Sequence, residues 1–124
     1  MTSATTATNM SSRTESRSVG AHKGRILVVD DEANARNALA ELLDDAGYSV
    51  STAADGRTAL LQMEQIEPDV VLTDLKMPGM DGLSLIERGR SMSTHTTFIV
   101  MTAFATIDTA VQAIKLGAES YLTK

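Results

Sequence analysis

The chain has 124 residues, 43% of them hydrophobic and 3% aromatic, no cysteine, no tryptophan, and a formal net charge of −5. That length fits one domain with one core, and the missing cysteines exclude disulfides and thiolate metal sites. The apolar runs are too short for a membrane-spanning helix, and the scarcity of aromatics argues against a base-stacking surface.

Charge is unevenly placed. Residues 1–24 carry Arg13, Arg17 and Lys23 against Glu15; residues 25–124 carry eight Lys and Arg against fifteen Asp and Glu, a net of −7. The second part is therefore a poor match for nucleic-acid backbones. "MTSATTATNMSSRTESRSVGAHKG", residues 1–24, is rich in Ser and Thr and has no hydrophobic periodicity, so it reads as a disordered tail. It also lacks the apolar stretch of a secretory signal.

From Arg25 the pattern changes. "RILVV" is a continuous apolar run, as in a strand covered on both faces. "EANARNALAELLDDAG" places Ala35, Leu39, Leu42, Leu43 and Ala46 on one helical face, with Gly47 as the stop. "YSVSTA" alternates and reads as a strand with one weaker face. "DGRTALLQMEQIEP" offers Ala59, Leu60 and Met63 at helical spacing and ends at Pro68. "DVVLT" is a third strand, and "DGLSLIERGR" a short helix that Asp81 can cap. "TFIVMT" is a fourth strand. "TIDTAVQAIKLG" presents Ile107, Ala110, Val111 and Ile114 at i, i+3, i+4, i+7 and ends at Gly117; "SYLTK" opens a fifth strand. Strands alternating with helices over short connections predict an α/β fold, a parallel sheet with helices on both faces.

In an open parallel sheet, ligands bind beyond the carboxyl ends of the strands. The residues that follow the apolar runs are therefore the candidate site: Asp30 and Asp31, Asp74, Thr102 and Lys124. Each has a bland reading too. Asp30, Asp31 and Glu32 can serve a helix N-terminus, Asp74 can form a turn, Thr102 can cap the helix near Thr106, and Lys124 can be a solvated charge. Their shared position at strand ends favours a site. Clustered carboxylates repel unless a cation intervenes. Oxygen ligands without Cys or paired His favour a hard cation, Mg²⁺ before zinc. A Mg²⁺ ion on Asp30, Asp31 and Asp74 keeps positions for water and a phosphoryl group. Asp74 could then act as nucleophile, with Lys124 neutralising the transferred oxygens and Thr102 hydrogen-bonding them.

Those residues match a known family. "ILVVDDE", "DVVLTDLKMPGMDG", "IVMTA" and "GAESYLTK" make the stretch from Arg25 to Lys124 resemble the receiver domain of two-component response regulators. The resemblance implies a flavodoxin-like, doubly wound five-stranded parallel sheet of order 2-1-3-4-5. It implies Asp74 as phospho-acceptor, Thr102 as switch hydroxyl, Lys124 as the phosphoryl partner and Tyr121 as the switch aromatic. The Mg²⁺ ligands it implies are Asp30, Asp31 (the more direct), Asp74 and the backbone carbonyl of Lys76. Pro78 and Gly79 match the turn beside the acceptor. The implied donor is a sensor histidine kinase, the implied location cytoplasmic, and the implied role a switch that catalyses only its own phosphorylation and dephosphorylation. "MTAFATIDTAVQAIKLGAESYLTK" is most similar to receivers of sigma-54-dependent, nitrogen-regulation-type transcription activators, so a transcription-activating output domain is the expected partner. Neither nucleic acid nor a membrane is an expected partner of this chain itself.

The family pattern continues beyond the Lys into a fifth helix, which is missing here. A receiver truncated after strand five is thus expected, as a piece of a longer protein or a truncated product. Apolar sheet surface would be left bare, and a homodimer formed through it is a candidate association. "STHTTFIV" also lacks the Pro often found before strand four. An alternative from another class is a Mg²⁺-dependent phosphohydrolase with an aspartyl intermediate, but position 76 is Lys where such enzymes carry an acid. A flavodoxin-like nucleotide or flavin module lacks its Gly-rich loop after strand one. A non-phosphorylated scaffold would not need the complete set of acids, Thr and Lys.

Overall fold

The computed structural model describes residues 23–124. The tail expected over residues 1–24 lies outside the described residues except for Lys23 and Gly24. Lys23 N–H donates to the Gly47 carbonyl at 2.9 Å, Ser49 N–H donates to the Gly24 carbonyl at 2.8 Å, and the Lys23 ammonium stands 5.7 Å from the centre of the Tyr48 ring.

The order is β1 (Arg25–Val29), α1 (Ala33–Asp45), β2 (Ser49–Ala53), α2 (Gly56–Ile66), β3 (Val70–Thr73), α3 (Gly82–Met92), β4 (Thr97–Thr102), α4 (Ile107–Leu116) and β5 (Ala118–Thr123). The strands form one parallel sheet of order β2-β1-β3-β4-β5, as expected from the sequence. Alternation along β1 explains its unbroken apolar run. Leu27 and Val29 enter the larger core with Ala59 and Met63 of α2, Leu85 and Ile86 of α3, and Ala113 of α4. Ile26 and Val28 face the other way, against Leu39 and Leu43 of α1. β2 is an edge strand, which explains its weaker pattern.

Each helix begins on a side chain that accepts a free backbone N–H. Glu32 accepts from Ala35 at 2.7 Å, Asp55 from Thr58 at 2.7 Å, Asp81 from Ser84 at 2.9 Å and Thr106 from Thr109 at 3.1 Å. Such caps contribute about 1 kcal/mol each. Asp81 is thus the cap anticipated for α3, and Thr106, not Thr102, caps α4.

Two helices sit differently from their apolar patterns. On α1, Leu39 and Leu43 pack on the sheet, but Leu42 is 66% exposed. On α4, the expected stripe points outward: Ile107, Val111 and Ile114 are all exposed, while Ala113 is fully buried. The sheet surface beneath α4 is already filled by Phe98, Val100 and Tyr121, so the helix approaches through a small residue. Among the described residues no helix is long and apolar enough to cross a membrane.

The strand order reverses between β1 and β3, since the chain moves from β1 outward to β2 and then back across to β3. Such a switch point opens a crevice at the carboxyl edge of the sheet. Below it, α3 lies tight against β4. A Cβ on Gly89 would stand 2.6 Å from Cζ of Phe98, a ring with no exposed surface. Gly89→Ala should therefore destabilise the fold by roughly 1–3 kcal/mol through overpacking. Urea unfolding should show a lower midpoint with an unchanged slope; an unchanged midpoint would contradict this packing.

Candidate functional site

The acid at the end of β3 is held from both sides. Asp74 N–H donates to the Val29 carbonyl at 2.9 Å, continuing the ladder one residue past β3. Its Oδ1 accepts from Leu75 N–H at 2.6 Å, and its carbonyl accepts from the Thr73 hydroxyl at 2.9 Å. The loop then returns to the strand end, where Gly82 N–H donates to the Leu75 carbonyl at 2.8 Å. A Cβ on Gly82 would collide with the Asp74 carbonyl oxygen, so only glycine lets α3 start this close to the loop after Asp74. Asp74 is buried.

Asp30 ends β1 in the same manner. Its N–H donates to the Ala53 carbonyl at 3.1 Å, its Oδ1 accepts from Glu32 N–H at 3.0 Å, and its carbonyl accepts from the Arg36 guanidinium at 2.8 Å. Because Glu32 caps α1, neither Asp30 nor Asp31 is needed for that task. Asp30 is buried and Asp31 exposed. One carboxylate oxygen from each of Asp30, Asp31 and Asp74 lies within 4.8 Å of the others.

Lys124 reaches this cluster from the far side of the sheet. Its backbone N–H donates to the Thr102 carbonyl at 3.0 Å, which fixes where the side chain starts. Its ammonium then donates to Asp30 Oδ2 at 2.8 Å and Asp74 Oδ2 at 3.0 Å. Burial, the largest single influence, opposes the charge on Lys124. The hydrogen bonds and charges of Asp30 and Asp74 together outweigh it and hold its pKa above the ordinary lysine value.

The remaining expected residues lie around this centre. Thr102 is fully buried at the end of β4, and its hydroxyl accepts from Phe104 N–H at 3.1 Å. The Lys76 side chain is exposed, with its ammonium 5.4 Å from the centre of the Phe104 ring, so its charge is spent outside the acid cluster. Tyr121 lies half-buried on β5 opposite Val100, with its hydroxyl 2.6 Å from that of Thr109 on α4. Asp31, Pro78 and Gly79 line an open cleft between the loops after β1 and β3. Arg36 and Gly82 were not among the expected residues. The "DG" pair was visible, but only as a cap and turn; the pressure of Gly82 on the Asp74 carbonyl is a tertiary fact.

Residues 26–124 match the family model of the response regulator receiver domain. The chain belongs to this family. Among curated relatives, the regulatory protein AtoC of Escherichia coli is 46% identical over 100 residues, which are 81% of this chain and 22% of that protein. The DNA-binding transcriptional regulator NtrC of Salmonella typhimurium is 38% identical over 102 residues, 82% of this chain and 22% of that protein. The receiver domain described here thus spans about a fifth of the length of these relatives. Among solved structures, the chemotaxis protein CheY4 of Vibrio cholerae superposes with a TM-score of 0.77 at 33% identity, covering 81% of this chain and 85% of that one. A response regulator of Burkholderia pseudomallei, with a phosphorylated aspartic acid, a calcium ion and citrate, gives a TM-score of 0.77 at 35% identity, over 81% of this chain and 59% of that one.

Removing the receiver's shared cation should be costly in the absence of divalent ions. Lys124→Met would leave two carboxylates facing each other without the cation between them. The expected loss is about 1–3 kcal/mol, below the figure for a deeply buried pair because the Lys124 side chain is 27% exposed. The raised lysine pKa sets the pH window. Its stabilisation is fully present below the unfolded value of about 10.4 and is lost as pH rises through the higher folded value. Urea midpoints of the parent and Lys124→Met should therefore differ at pH 7 and converge in strong alkali; a constant gap would show that the cation's charge is not what stabilises.

Proposed function

We propose that this receiver domain is a phosphorylation switch with Asp74 as acceptor. The observation that carries this reading is the Lys124 ammonium bridging Asp30 and Asp74 at 2.8 and 3.0 Å, with Asp31 closing the acid cluster. A carboxylate oxygen of Asp74 attacks the phosphorus of a phosphohistidine on a sensor kinase. The new bond is O–P, the bond broken is P–N, and the histidine ring leaves with the electron pair. Lys124 then follows the negative charge from the carboxylate to the phosphoryl oxygens, and the Thr102 hydroxyl, which accepts from Phe104 N–H at rest, donates its own proton to the same oxygens. The Burkholderia relative, with its phosphorylated aspartic acid and bound cation, supports the assignment by analogy.

The donor set fits a hard divalent ion. Three carboxylates supply oxygen only, and one ammonium cannot neutralise them all. Asp30, Asp31, Asp74 and the Lys76 carbonyl would hold Mg²⁺. The bound ion would neutralise and orient the phosphoryl oxygens. Asp31, exposed and without the lysine, is the ligand most open to it.

In this reading the domain works on itself alone, in the cytoplasm, and passes its state to an output domain of the sigma-54-dependent activator type. The similarity to AtoC and NtrC supports that output. As Thr102 moves toward the phosphoryl group, Tyr121 follows, and the surface formed by α4 and β5 changes. That surface already carries exposed Ile107, Val111, Ile114 and Leu122. Pairing with a second copy would use exposed apolar surface of this kind.

Radiolabelled acetyl phosphate with Mg²⁺ should give an acid-stable, alkali-labile label on the parent protein and none on Asp74→Asn. Equal labelling of the variant would remove Asp74 from its role. For the ion, Asp31→Asn should weaken Mg²⁺ binding about tenfold or more, since a unit charge ~4 Å from a doubly charged ion contributes ~2 kcal/mol even in water-like surroundings. The same change should raise the ion-free urea midpoint by relieving repulsion. Unaltered Mg²⁺ affinity, measured by calorimetry, would place the ion elsewhere.

A further inference from the structure

The most heavily used hydroxyl outside the acid cluster belongs to Thr109, the third residue of α4. It accepts from the Thr106 backbone N–H at 3.2 Å and lies 3.1 Å from the Thr106 carbonyl, to which it can donate. The Thr106 hydroxyl, 2.9 Å away, in turn accepts from Thr109 N–H at 3.1 Å. A threonine hydroxyl has one proton and two acceptor sites. These Thr106 contacts share the one proton and two acceptor sites with a further partner, the Tyr121 hydroxyl, 2.6 Å away, where either hydroxyl can be the donor. Tyr121 is therefore joined to the group that closes the first turn of α4.

The position of that turn matters. Thr106 follows Thr102 by four residues, and Phe104, between them, donates its N–H to the Thr102 hydroxyl. Across the sheet, Tyr121 pairs with Val100 and Thr123 with Thr102, so Tyr121 stands two residues back from Thr102 on the same face. A displacement of Thr102 toward Asp74 frees the Phe104 N–H, loosens the segment leading to Thr106, and acts on the one hydrogen bond that holds the Tyr121 ring to α4.

We propose that Thr109 is a latch residue: its hydrogen bond to Tyr121 holds the aromatic side chain against α4 in the resting molecule and sets the bias of the switch. This inference rests on the reading of Asp74 as the acceptor. Thr109 touches neither the acid cluster nor Lys124; it is a positioning residue acting through Tyr121. Because coupling is reciprocal, a bond made in the resting state alone must weaken binding of a phosphoryl group or its mimic by the same factor. A single hydrogen bond of this kind corresponds to roughly a 2- to 10-fold bias.

Two measurements on the full chain test it. The protein has two tyrosines, Tyr48 and Tyr121, so fluorotyrosine gives two fluorine signals. Without any phosphoryl ligand, Thr109→Val should shift the Tyr121 signal and leave Tyr48 unmoved, and Thr109→Ser should restore the parent spectrum. An unmoved Tyr121 signal would overturn the latch. In the second measurement, the affinity for beryllofluoride with Mg²⁺ should rise roughly 2- to 10-fold in Thr109→Val and in Tyr121→Phe. The double variant should gain no more than either single change. Fully additive gains, or none, would overturn the coupling, whereas a purely helix-capping role would lower the melting temperature without altering that affinity. If the parent protein neither binds beryllofluoride nor takes label at Asp74, the acceptor reading falls, and the fluorine spectra alone decide the latch.

Discussion

Two carboxylates end adjacent strands of one parallel sheet, and a single ammonium from the sheet's far edge holds both. Asp30 and Asp74 cannot lie side by side in a partly dry crevice as free anions without repelling each other. Lys124 answers that repulsion only because β5 is in register with β4, so that its backbone hangs from the Thr102 carbonyl. Strand order, the crossover between β1 and β3, and the tight return of the loop after Asp74 all serve to bring three distant chain segments to this point. The balance is incomplete by one charge or more, since Asp31 adds a further carboxylate. A site left acidic in this way has oxygen ligands to offer a hard cation.

The rest of the molecule divides between rigidity and responsiveness. The centre of the sheet is closely packed, with Leu27, Val71, Phe98 and Val100 wholly buried, and Gly82 and Gly89 allowing α3 to press on the loop after Asp74 and on β4. That side gives the carboxylates a fixed frame. The α4 side is built differently. Its helix meets the sheet through the small Ala113 and keeps its larger apolar residues outside, so less area anchors it. An element with few buried residues can move at low cost, a property α4 shares with α1. The hydroxyls of Thr102, Thr109 and Tyr121 lie along the path between frame and helix, each with a partner that could be exchanged for another.

Much of this was legible in the residues. The alternation of apolar runs and helical stripes fixed the α/β class, because periods of two and of 3.6 are direct consequences of backbone geometry. The acids at the ends of the runs in β1 and β3 marked the crevice, and Asp81 was recognisable as a cap. The outward direction of the α4 stripe was not legible, since periodicity reveals that a helix has an apolar face but not whether the sheet has room for it. The exposure of Leu42 on α1 was hidden for the same reason. Arg36 and Thr109 gave no local signal and Gly82 only that of a turn: each matters through a contact with a group that the fold, not the spacing, brings near.

Sequence by itself determined the element types, the family, and the set of acids, hydroxyl and ammonium, because local geometry and residue chemistry are written one position at a time. Tertiary structure decided the rest: that Lys124 spans Asp30 and Asp74, and that Tyr121 is tied to Thr109. Those are distances between residues far apart in the chain, and only strand order and register set them.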